Sequence, residues 1–385
     1  MSTFPSPIVS RLPEVGTTIF TVMSALANEY GAINLSQGFP DFDCPALLLD
    51  RVIHHMKAGH NQYAPMTGVA PLREAIAEKV KNLYGHTYDP QNEITVTAGA
   101  TQAIYTAVAA MVHPGDEVIV FEPVYDSYVP AIQLAGGKPV YVRLKFPDYH
   151  IDWEEVAALV SPRTRMIMIN TPHNPTGSVF SAADMEALIK IVAGTDIVIV
   201  SDEVYEHIVF DGLRHESVAR YPELAERSFI ISSFGKTYHV TGWKIGYCLA
   251  PKELMVEFRK AHQFIVFTCN TAVQFGLADF MQEKSHYLEL SAFYQQKRDF
   301  FLKAIKGSRF TPLPSSGTYF QLLRYDEITE ESDADFAKRM TRDAGVASIP
   351  ISAFYRDRED NQVVRFCFAK GEKTLLEGAA RLCQI

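Results

Sequence analysis

Residues 165–205 read RMIMINTPHNPTGSVFSAADMEALIKIVAGTDIVIVSDEVY. Two short apolar runs, MIMI and IVIV, flank SAADMEALIKIVAG, whose pattern is helical. A strand with one wet face alternates apolar and polar residues; these runs do not, so burial on both faces is expected. The same alternation of strand and helix continues on either side. EITVTAG, EVIVFEP and KPVYVRL come before, SFIISSFG and IGYCLAP come after, and the helical ATQAIYTAVAAMV lies among them. An α/β architecture follows, three layers built on a mostly parallel seven-stranded sheet.

Outside this region the pattern changes. The first thirty-odd residues read as irregular, then NLSQGFPDF forms a Gly/Pro loop before the helical PALLLDRVIHHMKAG. PLREAIAEKVKNLYG is a second helix, opened by Pro71 and closed by Gly85. Beyond Pro251, PKELMVEFRKAHQF and HYLELSAFYQQKRDFFLKAIKG predict long helices, with no strand until GTYFQLLRY. DADFAKRMTRDAG, VASIP, QVVRFCFAK and EKTLLEGAARLCQI complete a smaller α+β segment. The expected division is an N-terminal arm contributing to the small domain (1–45), a large domain (46–280) and a small C-terminal domain (281–385).

Composition narrows the function. The net charge is −9 and the basic residues are scattered singly, which opposes a nucleic-acid partner. The apolar runs are too short to cross a bilayer and the N-terminus lacks a basic-then-apolar signal, so a cytoplasmic protein without a membrane partner is expected. Five widely spaced cysteines, none in a Cys-x-x-Cys pair, oppose both a disulfide framework and a zinc site. His54 and His55 are adjacent and diverge on a helix, and no His-Glu-x-x-His occurs, so no metal is expected.

Ligands of parallel sheets bind beyond the carboxyl ends of the strands. Gly99, Ala100 and Thr101 lead from a strand into a helix, a geometry that suits a phosphate but also an ordinary helix cap. Asp202 ends a strand so apolar that its carboxylate needs a cationic or protonated partner, either a ligand or a structural salt bridge. Tyr205 stands three residues on, aimed at the same ligand or simply packed. The two prolines of NTPHNPTG hold Thr171 and Asn174 out of helical geometry, which stiffens the turn. Lys236 lies in SSFGKTYHVTGWKIGY, residues 232–247, as a surface charge or as a desolvated nucleophile able to form a Schiff base with an aldehyde.

The motifs NTPHNPTG, SDEVYEHI, SSFGKTYHVTGWKIGY and RFCFA, in this order, resemble the class I and II aminotransferases, the fold-type I enzymes that use pyridoxal 5′-phosphate. LSQGFPDF, NQYAPMTG, GATQA and EPVYDSY are similar to those of the bacterial methionine and the kynurenine aminotransferases. By that resemblance Lys236 carries the cofactor aldehyde and moves the substrate proton, and Asp202 pairs with the pyridinium nitrogen. Asn174 and Tyr205 hold the ring's phenolic oxygen, and Tyr125 stacks on the ring. Gly99, Ala100, Thr101, Ser233 and Lys244 hold the phosphate, with Tyr63 reaching in from a second subunit. Lys244 stands where many members have arginine, a point charge in place of a fork. Arg365 clamps the substrate carboxylate, helped by Asn174 and the backbone of Gly38.

The resemblance further implies a ping-pong transfer of the amino group of an L-amino acid to a 2-oxo acid. Phe20, Tyr63 and the partner's copy of Phe267 line the side-chain pocket, which favours methionine, aromatic, glutamine-like or kynurenine donors over aspartate. A homodimer with shared sites follows. A carbon–sulfur β-lyase and a non-catalytic cofactor-binding regulator are the alternatives on the same fold.

Overall fold

The computed structural model of the chain describes residues 8–385; residues 1–7, the start of the expected N-terminal arm, lie outside the described residues. All seven predicted strands join one sheet, in the order Ile94–Thr97, Gly246–Leu249, Ser228–Ser233, Val198–Asp202, Thr164–Asn170, Glu117–Glu122, Lys138–Arg143. Six of these run in one direction, while Gly246–Leu249 is antiparallel to both its neighbours. The cause lies in the connection. Between Ser233 and Gly246 the chain makes only the short helices Phe234–Thr237 and Thr241–Trp243, too little for the long crossover a parallel return requires.

Two-sided burial is visible residue by residue. Met166, Met168, Val198 and Val200 pack with Ala103, Ile104 and Ala107 of the helix Gly99–Met111 on one face. Ile167, Ile169, Ile199 and Ile230, the alternate positions, join the larger core on the other. Val198–Asp202 is buried at every position, so its last residue is delivered into the interior rather than into water.

The helix Ala70–Tyr84 has Pro71 in its first turn and ends on Gly85 in the left-handed region (φ 79°). Three expectations are corrected. Ile19–Glu29, in the stretch read as irregular, is a helix capped by the Thr18 side chain and buried only at Met23 and Ala27. Thr271–Phe280 is an unpredicted helix, apolar on nearly all sides and therefore without a periodic signal. The long helix after residue 285 breaks at Glu289 into Ser285–Leu288 and Leu290–Ala304.

The C-terminal segment forms a four-stranded antiparallel sheet in the order Ile349–Pro350, Val363–Cys367, Phe320–Arg324, Thr311–Pro312, the last a two-residue strand ahead of the first one expected there. Ile33–Asn34 pairs parallel with Val346–Ala347, tying the N-terminal segment to this part of the chain.

Just past Val198–Asp202, Glu206 is buried in a polar network. Its carboxylate pairs with Lys79 Nζ at 2.6 Å and accepts from Ser232 Oγ at 2.6 Å, Tyr247 Oη at 3.0 Å and Tyr84 Oη. Burial alone would raise its pKa; the Lys79 charge and the donors outweigh burial and hold it well below the usual carboxylate range. The stability it contributes is therefore present above pH 4.5 and lost as the pH falls. Lys79→Met strands this carboxylate, so chemical denaturation should show a loss of about 3–5 kcal/mol. A loss below about 1 kcal/mol would show that the pair does not hold this segment.

Candidate active site

A cavity of about 140 Å³ opens beyond the carboxyl ends of the parallel strands. Gly99, Ala100, Thr101, Ser233 and Lys244 form one end; Tyr125, Asn174, Asp202, Tyr205 and Lys236 line the rest. The sheet explains the gathering, because four neighbouring strands each end on one of the loops that carry these residues.

Gly99 sits at φ 76°, and a Cβ built there would meet Lys244 Nζ at 3.5 Å. At Gly246 a Cβ would lie 2.6 Å from Ser232 O and 3.2 Å from Ala100 N. Glycine at these two points lets the helix start, the Ser233 turn and the Lys244 loop approach one another. The first turn of Gly99–Met111 carries no acidic residue. Its free N–H groups, the Ser233 hydroxyl and the Lys244 ammonium make an end suited to an anion.

Asp202 has no ion-pair partner among the described residues. Tyr128 Oη donates to its Oδ2 at 2.5 Å and Val204 N to its Oδ1 at 3.3 Å. Burial pushes its pKa up to about 6 against the pull of these bonds and of Lys236. Asn170 fixes the strand end, donating from Nδ2 to Asp202 O at 2.8 Å while its Oδ1 accepts from Asn174 N at 2.8 Å.

Lys236 reaches the cavity from the short helix Phe234–Thr237. Its amine donates to Gly38 O at 3.1 Å and to Tyr319 Oη at 2.8 Å. Burial, with Arg365 and Lys244 adding like charge, lowers its pKa to about 8, although Cys367 and Asp202 oppose the shift. The amine is therefore far more available near neutral pH than a surface lysine's.

Arg365 is only 1% exposed. One guanidinium nitrogen donates to Asn174 Oδ1 at 2.7 Å and another to Ser36 O at 3.2 Å, while Nε has no partner. Its flat group stacks 3.8 Å from the Phe320 centroid, with Phe20 at 5.3 Å and Phe354 at 5.6 Å. No carboxylate among the described residues pairs with it. A desolvated guanidinium without a counter-ion is a strong site for an incoming carboxylate.

Gly38, Asn174, Arg365 and Phe20 thus adjoin the cavity that holds the other predicted groups. Tyr63 and Phe267 do not. Tyr63 is 83% exposed and meets Phe267 edge-on at 5.3 Å beside a separate surface hollow. Sequence reasoning missed Tyr128, Asn170 and Tyr319. Tyr128 belongs to the quoted EPVYDSY and Asn170 closes MIMIN, so position alone could have flagged both; Tyr319, inside an apolar strand start, carried no signal.

Tyr319 follows a turn that is strained. Thr318, β-branched and fully buried, adopts φ 66°, a conformation costing about 1–3 kcal/mol. The turn is held by Thr318 N to Ile208 O, Phe210 N to Ser316 O and Gly317 N to Gly177 O, each 2.9 Å. It is pinned between the NTPHNPTG loop and the segment following Tyr205.

Known proteins match this arrangement along the whole chain. Residues 30–382 match the family model of aminotransferase class I and II. The methionine aminotransferase of Escherichia coli (strain K12) is 53% identical over 98% of this chain and 98% of its own length. Kynurenine–oxoglutarate transaminase 1 of Mus musculus is 33% identical, covering 97% and 96%. The crystal structure of YbdL from Escherichia coli, described as having a methionine aminotransferase function, superposes with a TM-score of 0.97 at 52% identity, over 99% of this chain and 100% of that one. The chain belongs to the class I and II aminotransferases, has their fold-type I architecture and is a transaminase.

Proposed function

We propose that the chain uses pyridoxal 5′-phosphate to move the amino group of a neutral L-amino acid, methionine foremost, to a 2-oxo acid by a ping-pong mechanism. The observation that carries this reading is Arg365, a buried guanidinium with no counter-ion, beside a cavity that also holds an activated lysine and a buried carboxylate.

The residues present fit the cofactor. Lys236 offers an amine to an aldehyde, and Asp202, lacking a cation, offers its carboxylate to a protonated ring nitrogen. Tyr205 and Asn174 supply polar groups for the phenolic oxygen, Tyr125 supplies a ring face, and Gly99–Thr101, Ser233 and Lys244 supply the anion end. When bound, this group supplies an aldehyde that takes up the amine and a ring that accepts the α-carbon electron pair.

The chain's own share is orientation and proton movement. Arg365 and Asn174 hold the substrate carboxylate, which fixes the α-carbon relative to the cavity. Lys236, which gives up its proton far more readily than a surface lysine, takes the α-proton in its neutral form and returns it. Phe20, Phe320 and Phe354 surround Arg365 with apolar faces, which suits an uncharged donor side chain better than a second carboxylate. The E. coli relative's methionine activity supports the same choice.

The proposal includes a symmetric homodimer, in which Tyr63 and Phe267 complete the neighbour's site. Their exposure, beside Phe264 at 86%, supports a covering partner. The division into arm, large and small domains and a cytoplasmic setting remain part of this reading.

In a donor panel with each product oxo acid measured, methionine should exceed phenylalanine and glutamine, and aspartate should be poor; aspartate as the best donor would overturn the specificity. Lys236→Ala should lose at least about 1,000-fold in kcat. Arg365→Lys, a point charge in place of a fork, should raise KM for methionine about 10- to 100-fold; an unchanged KM would remove Arg365 from carboxylate binding. Sedimentation should find a dimer, with Tyr63→Ala reducing activity; an active monomer would contradict the shared site.

A further inference from the structure

Lys236 must do more than carry a low pKa. To take a proton from a fixed carbon its lone pair has to point at that carbon, and a four-carbon stem with free torsions does not ensure this. The groups around the amine supply the missing constraint. A neutral amine has two N–H bonds and one lone pair. Here its N–H bonds have two acceptors, Gly38 O at 3.1 Å and Tyr319 Oη at 2.8 Å. Occupying both leaves the lone pair as the remaining direction.

Tyr319 Oη also donates its proton to Gly38 O at 2.5 Å. A phenol has one proton, so with that proton committed its oxygen faces the amine as an acceptor. The ring cannot swing away. Tyr319 is fully buried, edge-on to Tyr205 at 5.1 Å and to Phe320 at 4.9 Å, and tilted against Tyr294 at 5.7 Å. Gly38 is held close as well, since a Cβ there would stand 2.9 Å from Phe320 Cζ. The strained Thr318 lies immediately before Tyr319, in a turn bonded to the segments that carry Asn174 and Tyr205. Strain of this kind persists where surrounding structure over-determines it, which gives the phenol a dictated position.

We propose that Tyr319 is a positioning residue for the transamination: with Gly38 O it takes up the N–H bonds of Lys236 and thereby aims the amine's lone pair at the substrate α-carbon. The inference rests on the functional reading above and adds to it a residue that touches the reacting amine. No atom is transferred to Tyr319; its proton stays on the Gly38 side while Lys236 gains and releases the substrate proton. The charged form gains from the arrangement too, because an ammonium donates to the same two oxygens more strongly. The other ionisable groups acting on the amine are Asp202, Arg365, Lys244 and Cys367, with the Tyr205 ring 5.6 Å away.

The test is Tyr319→Phe, which keeps the ring and removes the oxygen. In the holoenzyme with methionine and saturating oxo acid, kcat should fall about 10- to 100-fold while KM for methionine changes less than about threefold. In the cofactor-free chain, the pH at which Lys236 is half-acylated by an N-hydroxysuccinimide ester, read by peptide mass spectrometry, should fall by about half to one unit, because an acceptor for the ammonium is gone. Placing 4-fluorophenylalanine at 319 nearly retains the shape and puts a much weaker, non-ionising acceptor where the oxygen was, so effects of the same sign are expected. That variant decides the matter if Tyr319→Phe fails to fold. Unchanged kcat together with an unchanged labelling midpoint overturns the proposal, as does a loss confined to KM. If the wild type itself does not transaminate, the functional reading fails, and the labelling midpoint alone then supports or overturns the hold of Tyr319 on the amine.

Discussion

Desolvation of a few charges is the constraint on which the rest depends. Asp202 and Arg365 are withdrawn from water, Lys236 is half-buried with its amine desolvated, and none has an opposite charge in ion-pair contact among the described residues. Raising a carboxylic acid from its ordinary 3.8 to about 6 costs on the order of 3 kcal/mol at neutral pH. That cost is present above pH 6 and disappears as the acid protonates below its ordinary value. The interior that imposes it is the sheet, whose strands pack apolar side chains on both faces and extend that packing to their ends.

Holding such groups in place requires backbone that cannot relax. Asn170 spans Asp202 and Asn174 with one amide; Glu206 and Lys79 lock the segment after Tyr205; the Ser315–Thr318 turn is bonded to both loops. Each tether joins elements distant in sequence. The arrangement is rigid because the restraints cross-link the loops to one another, so no single loop can shift without breaking bonds to the next.

The sheet was legible in the sequence because continuous apolar runs separated by helical stretches admit few other readings, and all seven runs became strands. Lys236, Asp202 and Asn174 stood out because polar residues end apolar runs there, whereas Arg365 and the roles expected of all four came from the resemblance of the motifs. Other features lacked a local signal. Thr271–Phe280 is buried on nearly every side, so no period marked it, and the helix Ile19–Glu29 buries only two of its residues. Tyr319 reads as one more aromatic in GTYFQLL; its significance comes from contact with Lys236, 83 positions away, and with Gly38, 281 away. Long-range contacts of that kind leave no trace in composition or spacing.

The phenol of Tyr128 gives Asp202 a neutral donor rather than a cation. A fixed lysine or arginine there would have satisfied the carboxylate permanently and shut the place to any other positive group. An uncharged donor does less: it keeps the carboxylate tolerable inside the protein while leaving its attraction for a cation unspent. The carboxylate thus keeps its pull for any positive group that enters the cavity, and the fold, not a rival side chain, decides what reaches it.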